Sequence, residues 1–318
     1  MHPAKARAGF SFRAFGGTLW RVMSVPVTFE NEALRIEIYP QIGAKVASVV
    51  DKADKFELLF DYAAELPMRS AYDRPYAQSW FGGWDECFPA IAPGPYPTHP
   101  YQNVPVPDHG ELWGLPPTAV PTKDGITTVW HGLRFGYTLT RKLYLEAASV
   151  VAEYTLANLA PFDFRFVWAQ HGLLSLAAPV EIDIGQTNCR IAHDHNGNEI
   201  NAPLRWPLSE ERIDFSRPAA LPAKQGWKIF TERPITSAAT ISYPSRGRRL
   251  TIEYSSADGL DAYWGVWLNT GGWMGHKHFA VEPTTGRHDH LDRSMKDNSA
   301  GRVDGSGKRD WTVRWTVG

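Results

Sequence analysis

The sequence predicts an all-β protein folded as one large antiparallel β-sandwich. Apolar and polar residues alternate with a period of two along many short segments, as expected of strands with one buried face. No segment has the apolar spacing of an amphipathic helix longer than about two turns, and the chain contains no internal repeat or low-complexity tract. Because the 318 residues show no break in composition, we expect a single sandwich domain and not two linked ones.

The domain is predicted to cover residues 23–318. Residues 1–22 lack acidic side chains and sustained periodicity, so we expect a weakly ordered N-terminal extension. This stretch is basic but has no continuous apolar segment of the kind found in signal peptides. Met23 is a second candidate for the first residue of the translated chain.

The first predicted strands precede a long irregular block. Apolar residues occupy every second position of residues 34–38, and the same rhythm returns over residues 44–50 and 56–62. Residues 68–121 differ, because they are dense in proline, glycine and aromatic residues. A long irregular segment inside a compact domain usually carries function, so we expect part of a site here.

Regular strands are predicted again from residue 127 onward. The segment 164–174 is apolar on both faces until it ends in Gln170 and His171, which places it in the middle of the sandwich. Residues 191–235 are polar and interrupted by proline, so mostly loops are expected there. The other predicted strands cover residues 127–131, 137–145, 150–159, 181–184, 238–243, 250–254, 263–269, 277–282 and 311–317.

Charge and cysteine content exclude several classes of function. Thirty-three Lys and Arg against thirty-four Asp and Glu give a net charge of −1, which offers no electrostatic footprint for nucleic acid or an anionic membrane. No apolar run approaches the roughly 20 residues of a membrane span. Cys87 and Cys189 form neither a disulfide framework nor a thiolate metal site. We therefore expect a cytoplasmic protein, monomeric or homodimeric, that binds a small molecule.

Two ionisable residues in apolar segments need an explanation. His171 must find a partner or face a cavity, because burying an unpaired polar group costs about 1 to 3 kcal/mol. Glu282 precedes Pro283, which we expect to stop the strand and to present the carboxylate at a sheet end. Desolvation there would raise the pKa of the carboxyl group toward a value that suits a general base. A hydrogen-bonded core histidine and a structural glutamate at a strand end are the alternatives.

Two H-x-H clusters have the spacing of metal ligands on one strand face. They are residues 193–195 and residues 288–290, each with a central aspartate. Both lie in polar, turn-rich sequence, so solvated loops are expected and no metal site is predicted. Glycine patterns that bind nucleotide phosphates are absent from the sequence.

Three short sequence blocks follow one another in a fixed order. They are DHGELW at residues 108–113, the Gln170-His171 step that ends the aromatic strand, and FAVEP at residues 279–283. In this order they resemble the signature blocks of the aldose 1-epimerase (galactose mutarotase-like) family. The resemblance implies a β-supersandwich fold, a role in carbohydrate metabolism and interconversion of the α and β anomers of an aldose without a cofactor.

The resemblance also implies roles for individual residues. By position, His171 matches the general acid, Glu282 the general base, and His109 the histidine that binds and orients the sugar. Opening a cyclic hemiacetal needs such groups, because one proton must leave the anomeric hydroxyl while another reaches the ring oxygen. The sequence departs from the family at Gln170-His171, where Asn-His is usual, and the family's substrate-binding Asp and Arg have no clear counterpart.

Further residues are predicted to contact the sugar. Indole rings in Gly-rich stretches can pack on a pyranose or in a core, and an acidic residue there can bond hydroxyl groups or cap the loop. Arg287 lies just beyond the proposed base and Arg165 on the strand face of His171, which favours a sugar with a carboxylate, phosphate or sulfonate group. The predicted substrate-binding residues are His109, Trp84, Asp85, Trp113, Gln170 and Arg287.

A non-catalytic carbohydrate-binding protein is the alternative from another class of function. The same sandwich can bind a sugar without an acid and a base in register. The pair of His171 and Glu282 distinguishes the two, since binding alone does not require it. A glycosidase is less favoured, because it needs two facing carboxylates and only Glu282 is well presented.

Overall fold

The structure is a computed structural model that describes residues 25–61 and 70–318. These residues lie mostly in antiparallel β-sheets, which confirms the predicted all-β sandwich. The predicted extension, residues 1–22, lies outside the described residues, so the domain boundaries stay a prediction.

The described residues form strands β1 to β25, one α-helix and short 3-10 turns. The strands are Val27–Glu30 (β1), Leu34–Tyr39 (β2), Lys45–Asp51 (β3), Phe56–Glu57 (β4), Trp84–Cys87 (β5), Gly94–Pro95 (β6), Pro105–Val106 (β7), Thr118–Pro121 (β8), Gly125–His131 (β9), Tyr137–Glu146 (β10), Ser149–Asn158 (β11), Phe164–Phe166 (β12), Ala169–Gly172 (β13), Leu174–Ser175 (β14), Glu181–Asp183 (β15), Asn188–Asp194 (β16), Glu199–Arg205 (β17), Leu208–Ser209 (β18), Gly226–Thr231 (β19), Ala239–Tyr243 (β20), Arg248–Ser255 (β21), Tyr263–Thr270 (β22), Lys277–Thr284 (β23), Gly301–Val303 (β24) and Lys308–Val317 (β25). The helix α1 is Leu291–Lys296, and the 3-10 turns are Tyr76–Gln78, Leu112–Gly114, Pro218–Ala220 and Pro244–Arg246.

Two large sheets build the sandwich. The first sheet has thirteen strands in the order β1-β2-β3-β5-β13-β23-β22-β19-β16-β17-β18, with β14 against β23 and β4 against β3. The second has eight, in the order β15-β20-β21-β25-β11-β10-β9-β8. In β25, Trp311, Val313, Trp315 and Val317 are buried at every second position, as predicted. Trp315 stacks on Trp84 of β5 with ring centroids 5.0 Å apart, so this face joins the two sheets.

A buried ion pair also lies between the sheets. Glu86 of β5 and Arg141 of β10 are fully buried, with Oε1 and Nη1 3.0 Å apart. The carboxylate accepts further hydrogen bonds from Trp84 at 3.0 Å, Tyr154 at 2.8 Å and Trp168 at 2.9 Å. Burial raises the pKa of Glu86 above its ordinary value, although Arg141 and Tyr154 oppose the shift. Glu86 therefore holds the sandwich together and is not part of a surface loop.

Alternation along β5 and β13 separates this core from the outer face of the first sheet. Glu86 points between the sheets, so Asp85 points to the outer face. On β13, Gln170 donates to the Tyr154 hydroxyl in the core at 3.0 Å. His171 is therefore directed to the outer face, where it pairs with Asp85 in the register of the two strands.

The predicted strand over residues 164–174 is divided into β12, β13 and β14. At Val167 and Trp168 the backbone N–H groups leave the ladder and donate to the carbonyl oxygen of Pro89 and the hydroxyl of Thr285, both at 2.8 Å. The chain passes there from a two-stranded sheet with β24 into the first sheet. Periodicity alone did not reveal this change, because both parts are equally apolar.

Two other expectations were wrong. Residues 191–235, predicted as loops, contain β17, β18 and β19 and part of β16. These strands lie toward one end of the first sheet, where exposed polar side chains weaken the apolar alternation. Strand β23 continues past Pro283, which stays in register opposite Trp264, because proline fits extended backbone and loses only its own donor. Glu282 therefore lies within a strand and not at a sheet end.

Candidate active site

A cavity of about 340 Å³ opens on the outer face of the first sheet. Its volume is typical of pockets that bind small molecules. Histidines dominate its polar lining, and they account for six of the eleven in the chain. They are His109, His171, His193, His195, His278 and His290.

Neighbouring strands of the first sheet each supply one polar side chain to this site. In sheet order, β5, β13, β23, β19 and β16 carry Asp85, His171, Glu282, Lys228 and His193, with β22 between β23 and β19. Adjacent strands lie about 4.8 Å apart, so side chains at similar heights come within reach of one another. Residues that are far apart in the sequence thus form one polar row.

Gly265 on β22 makes room for a contact between Glu282 and Lys228. It lies opposite Glu282 in the register with β23 and opposite Phe230 in the register with β19. A Cβ atom there would lie 3.3 Å from the Phe230 ring and 3.5 Å from Glu282 Oε2. Because no side chain fills this space, the Glu282 carboxylate reaches across β22 to Lys228, with Oε2 and Nζ 2.6 Å apart.

The Glu282 carboxylate is fully buried and only partly satisfied. Its Oε1 atom has no hydrogen-bond partner among the described residues and lies 3.9 Å from His171 Nε2. Burial raises the pKa of Glu282, and the ammonium group of Lys228 opposes this shift. Burial alone would lower the pKa of Lys228, but Glu282 and Asp289 together raise it above its ordinary value. The result is a buried ion pair with one carboxylate oxygen available to a further donor.

Tyr76 orients the imidazole of His171. Its hydroxyl donates to Asp85 Oδ2 at 2.8 Å and lies 3.4 Å from His171 Nδ1. Lys45 holds the same Asp85 oxygen in a buried ion pair. A hydroxyl whose proton points to a carboxylate can only accept from the ring, so the network assigns the hydrogen to Nδ1. His171 Nε2 is then the nitrogen that faces Glu282 and can gain or lose a proton.

Burial lowers the pKa of His171 well below its ordinary value, and charge on His109 and Lys228 acts in the same direction. The ring is therefore neutral near pH 7. A general acid must carry a proton, so the role implied by the resemblance requires protonation at Nε2 against this shift. An acid–base pair of His171 and Glu282 works only while the two groups hold one proton between them.

His109 stands beside His171 in a constrained backbone. Its φ angle is 57°, in the left-handed region that non-glycine residues seldom adopt. Its Nδ1 lies 2.8 Å from Asp108 Oδ1, and its ring stacks on Tyr76 with centroids 3.9 Å apart. The ring centroids of His109 and His171 are 5.0 Å apart. Both histidines are thus held in fixed orientations at one end of the cavity.

His193 and Asp289 form an ion pair at the opposite end of the polar row, where solvated loops were expected. His193 Nε2 lies 2.6 Å from Asp289 Oδ2, and the Asp289 side chain is only 12% exposed. Burial alone would lower the pKa of His193, but Asp289 raises it. Burial alone would raise the pKa of Asp289, but Lys228 and His193 hold it well below its ordinary value. The expectation was wrong for these two residues, because distant segments of the chain bring them together and leave them only partly exposed.

Apolar side chains cover the rest of the cavity wall. Trp267 of β22 and Trp273 in the following turn are half-buried and line it together with Leu173 and Ile91. Indole and aliphatic surfaces of this kind can pack on the C–H face of a pyranose. The cavity thus combines an apolar wall with a polar row, as ligand pockets with a few placed polar groups do.

Two predicted site residues line this cavity, and a third lies directly behind its wall. His109 and His171 line it, and Glu282 lies directly behind His171 and Lys228. Asp85 and Trp113 lie one layer further from the cavity and contact Tyr76, which Trp113 meets edge-on with ring centroids 5.2 Å apart. These two residues position the site, and a direct contact with a ligand is not expected of them.

The structure places the remaining predicted residues away from the cavity. Trp84 and Gln170 belong to the core between the sheets, because they occupy the inward positions of β5 and β13. Arg287 pairs with Asp297 at 2.7 Å and does not line the cavity. Arg165 lies on β12, outside the first sheet. The two arginines that favoured an anionic sugar are therefore not positioned to bind one in this cavity.

Sequence reasoning missed Lys228, Tyr76 and Asp289 as site residues. A signal was present for Lys228, since a lysine between Trp227 and Ile229 interrupts an apolar segment. Tyr76 lies in the irregular block that was expected to carry function, but nothing in its own sequence context distinguishes it. Its role follows only from the contacts that the fold creates.

Within residues 25–61 and 70–318, no group of three or more His, Cys, Asp and Glu side chains is arranged to hold a metal ion. In the same part of the chain, no helix is long and apolar enough to cross a membrane.

Comparison with known proteins identifies the fold. The Slr1438 protein from Synechocystis sp. PCC 6803 is similar with a TM-score of 0.70 and 15% identity over 95% of this chain and 99% of that protein. A galactose mutarotase-like protein from Lactobacillus casei gives 0.69 and 15% over 92% and 100% of the two chains. A galactose mutarotase related enzyme from Lactobacillus acidophilus gives 0.65 and 12% over 92% and 97%. These likenesses show that the chain has the galactose mutarotase-like fold.

Comparison of the sequence alone, by contrast, found no match. No protein-family model matches this sequence, and no curated protein matches it either.

Proposed function

We propose that this protein is an aldose 1-epimerase, a mutarotase that interconverts the α and β anomers of a hexose or modified hexose. The observation that carries the proposal is the pair of His171 Nε2 and Glu282 Oε1, which are 3.9 Å apart, with His171 lining the cavity and Glu282 directly behind it. The mutarotase-like fold and the resemblance of the three sequence blocks support it. A cytoplasmic location and a monomeric or homodimeric state stay predictions.

The separation of the two groups suits the reaction. At 3.9 Å the atoms are too far apart for a direct hydrogen bond, so neither satisfies the other and each can still bond to a third group. The anomeric hydroxyl oxygen and the ring oxygen are bonded to the same carbon, and two groups at this spacing can each reach one of them. Such positioned proton transfers typically accelerate a reaction by about 10² to 10⁴ each.

The proton transfers then follow in order. Glu282 takes the proton of the anomeric hydroxyl, and His171 gives the proton on Nε2 to the ring oxygen. The bond between the anomeric carbon and the ring oxygen breaks, and an aldehyde forms. After rotation about the neighbouring C–C bond, the same two groups act in reverse and close the ring on the other face. Tyr76 and Lys228 keep the imidazole and the carboxylate in place during these steps.

The test is anomer exchange measured by saturation-transfer NMR on D-glucose, D-galactose, their 6-phosphates and their uronic acids. We expect catalysed exchange with wild-type protein and a loss of about 10² to 10⁴ in rate for Glu282→Gln and for His171→Asn. Binding measured by calorimetry should change little, because both groups act on protons in transit. The double variant should be little slower than the slower single variant. Glu153→Gln on the exposed face of β11 is the matched control and should keep full activity.

One outcome would favour the alternative class. If Glu282→Gln kept wild-type exchange, or if the wild-type protein bound these sugars without exchanging their anomers, a non-catalytic carbohydrate-binding protein would be the better conclusion.

A further inference from the structure

A chain of buried hydrogen bonds extends from His171 to side chains that do not line the cavity. The imidazole Nδ1 lies 3.4 Å from the hydroxyl of Tyr76, which donates to Asp85 Oδ2 at 2.8 Å. The same oxygen of Asp85 forms an ion pair with Lys45 of β3. The side chains of Lys45 and Asp85 are only 2% and 1% exposed. The proposed proton transfers leave this ion pair without a task.

We propose that Lys45 and Asp85 are positioning residues for the reaction. Acting through the hydroxyl of Tyr76, their ion pair fixes the hydrogen of the neutral His171 ring on Nδ1 and keeps Nε2 as the nitrogen that exchanges a proton in the cavity. This inference rests on the proposed function, because it concerns the histidine that serves there as the acid.

The direction of each hydrogen bond follows from the groups that form the chain. A carboxylate has acceptors but no donor, and an ammonium group has only donors. Asp85, paired with Lys45, is therefore an acceptor for the Tyr76 hydroxyl. The carbonyl oxygen of Phe81, 3.0 Å from the same hydroxyl, also only accepts. Because the hydroxyl has a single proton and two such acceptors, it can only accept from His171, and the hydrogen of the ring stays on Nδ1.

Lys45 is held beside Asp85 from several sides. Its Nζ atom also donates to the carbonyl oxygen of Gly82 at 2.8 Å. The same atom lies 5.4 Å from the centroid of the Trp80 ring, which is close enough for a cation–π contact. Burial lowers the pKa of Lys45, and Asp85 opposes this shift. The positive charge therefore depends on its carboxylate partner, and the two residues act as one unit.

Stability alone does not account for this ion pair. Two charges are removed from water when the pair is buried, and replacement of such a pair by apolar side chains of similar volume is often neutral or stabilising. Asp85 Oδ1 also has no hydrogen-bond partner among the described residues, so the carboxylate is not fully compensated. An ion pair of this kind, one contact away from the residue that orients His171, fits a role in positioning better than a role in folding.

The first measurement identifies the nitrogen of His171 that carries the hydrogen. The ring nitrogens are observed by NMR in protein with isotope-labelled histidine, and the signals of His171 are assigned by their absence in His171→Asn. In wild-type protein we expect the form with hydrogen on Nδ1. In Tyr76→Phe, and in the double variant Lys45→Met with Asp85→Leu, the two nitrogen signals should move toward the values of the form with hydrogen on Nε2.

The second measurement separates positioning from structure. For the double variant we expect kcat of anomer exchange to fall by on the order of 10- to 100-fold, with KM changed by a few-fold at most, because the tautomer affects proton transfer and not the contacts with the sugar. The midpoint of denaturant unfolding should equal or exceed that of wild type. Tyr144→Phe on β10, which removes a hydroxyl bonded to Glu153 at 3.0 Å, is the control and should change neither the rate nor the tautomer.

Two results would overturn the inference. One is a wild-type ring with its hydrogen on Nε2, which decides the question even if no variant folds. The other is a double variant that loses activity only in proportion to its loss of stability, with the tautomer of His171 unchanged. If wild-type protein exchanged the anomers of none of the sugars, the proposed function would fail, and the tautomer measurement would decide separately whether the ion pair directs the ring.

Discussion

The charge of Lys228 acts on both members of the proposed acid–base pair. It lowers the pKa of Glu282, where it opposes the larger effect of burial. It also lowers the pKa of His171, where it acts in the same direction as burial. As the pH falls through the pKa of Glu282, the base is lost, and as it rises through the pKa of His171, the acid is lost. Burial moves these two values toward each other. We therefore expect a bell-shaped profile of kcat/KM whose acidic limb is set by Glu282 and whose basic limb is set by His171.

Removal of that charge should move the whole profile. In Lys228→Met both pKa values rise, so both limbs of the bell are expected to shift to higher pH, together with a lower maximum rate. The measurement is anomer exchange as a function of pH. Lys142→Met, which removes an exposed lysine from β10, serves as the control and should leave the profile in place. A shift in only one limb would contradict the arrangement in which Lys228 acts on both groups.

Only some of the residues that form the site could be predicted from the sequence. His109, His171 and Glu282 were found because short sequence blocks surround them, and the fold brings all three together. Asp289 was read as a loop residue, because its burial depends on Lys228 and His193, which are distant in sequence. Contacts of this kind leave no local pattern.

Strand β22 contributes an empty space to the site, because Gly265 has no side chain. Gly265→Val is expected to place methyl groups against Phe230 and Glu282, where a Cβ atom alone already comes within 3.3 and 3.5 Å. We expect a loss of activity on the order of 100-fold, because the carboxylate can no longer reach Lys228, and destabilisation of about 1 to 3 kcal/mol. Exchange rates and denaturant unfolding measure the two effects.

The matched control for this substitution is Gly94→Val on β6, where a Cβ atom would meet nothing within 4 Å. It should change neither activity nor stability appreciably. Gly265→Ala should lie between wild type and Gly265→Val. Full activity in Gly265→Val would show that Glu282 does not depend on the space above β22.

Strand alternation explains why some predicted residues belong to the site and others do not. On β13, Gln170 and His171 point to opposite faces, so the prediction that Gln170 also contacts the sugar was wrong. What the sequence did not reveal is which face meets the second sheet. That depends on the packing of Trp84 against Trp315, which lies 231 residues later in the sequence.

On the scale of the whole molecule, the ion pair of Glu86 and Arg141 links the two sheets. Glu86→Ala should destabilise the protein by about 3 to 5 kcal/mol, because the substitution leaves the buried guanidinium of Arg141 without its charged partner. Denaturant unfolding followed by tryptophan fluorescence measures this. Glu153→Ala on the exposed face of β11 should cost no more than about 0.5 kcal/mol. Similar free energies of unfolding for the two variants would contradict a structural role for the buried pair.

The fold class could be predicted because period-two alternation is a local property, and it persists through most strands of both sheets. The order of strands in the first sheet could not, since β5 pairs with β13 and β13 with β23 across long intervals of sequence. Residues 191–235 show the same limit, because their strands are defined by partners and not by their own composition.

The polar row across the first sheet has a consequence for how the protein reaches its working state. Its members come from β5, β13, β16, β19 and β23, so no short fragment of the chain contains the site. Proteins rich in such sequence-distant pairings fold slowly, because the loops between partners must close before the contacts form. During refolding, activity should therefore appear late, when the last of these strands joins the sheet. Partly folded chains should have no activity.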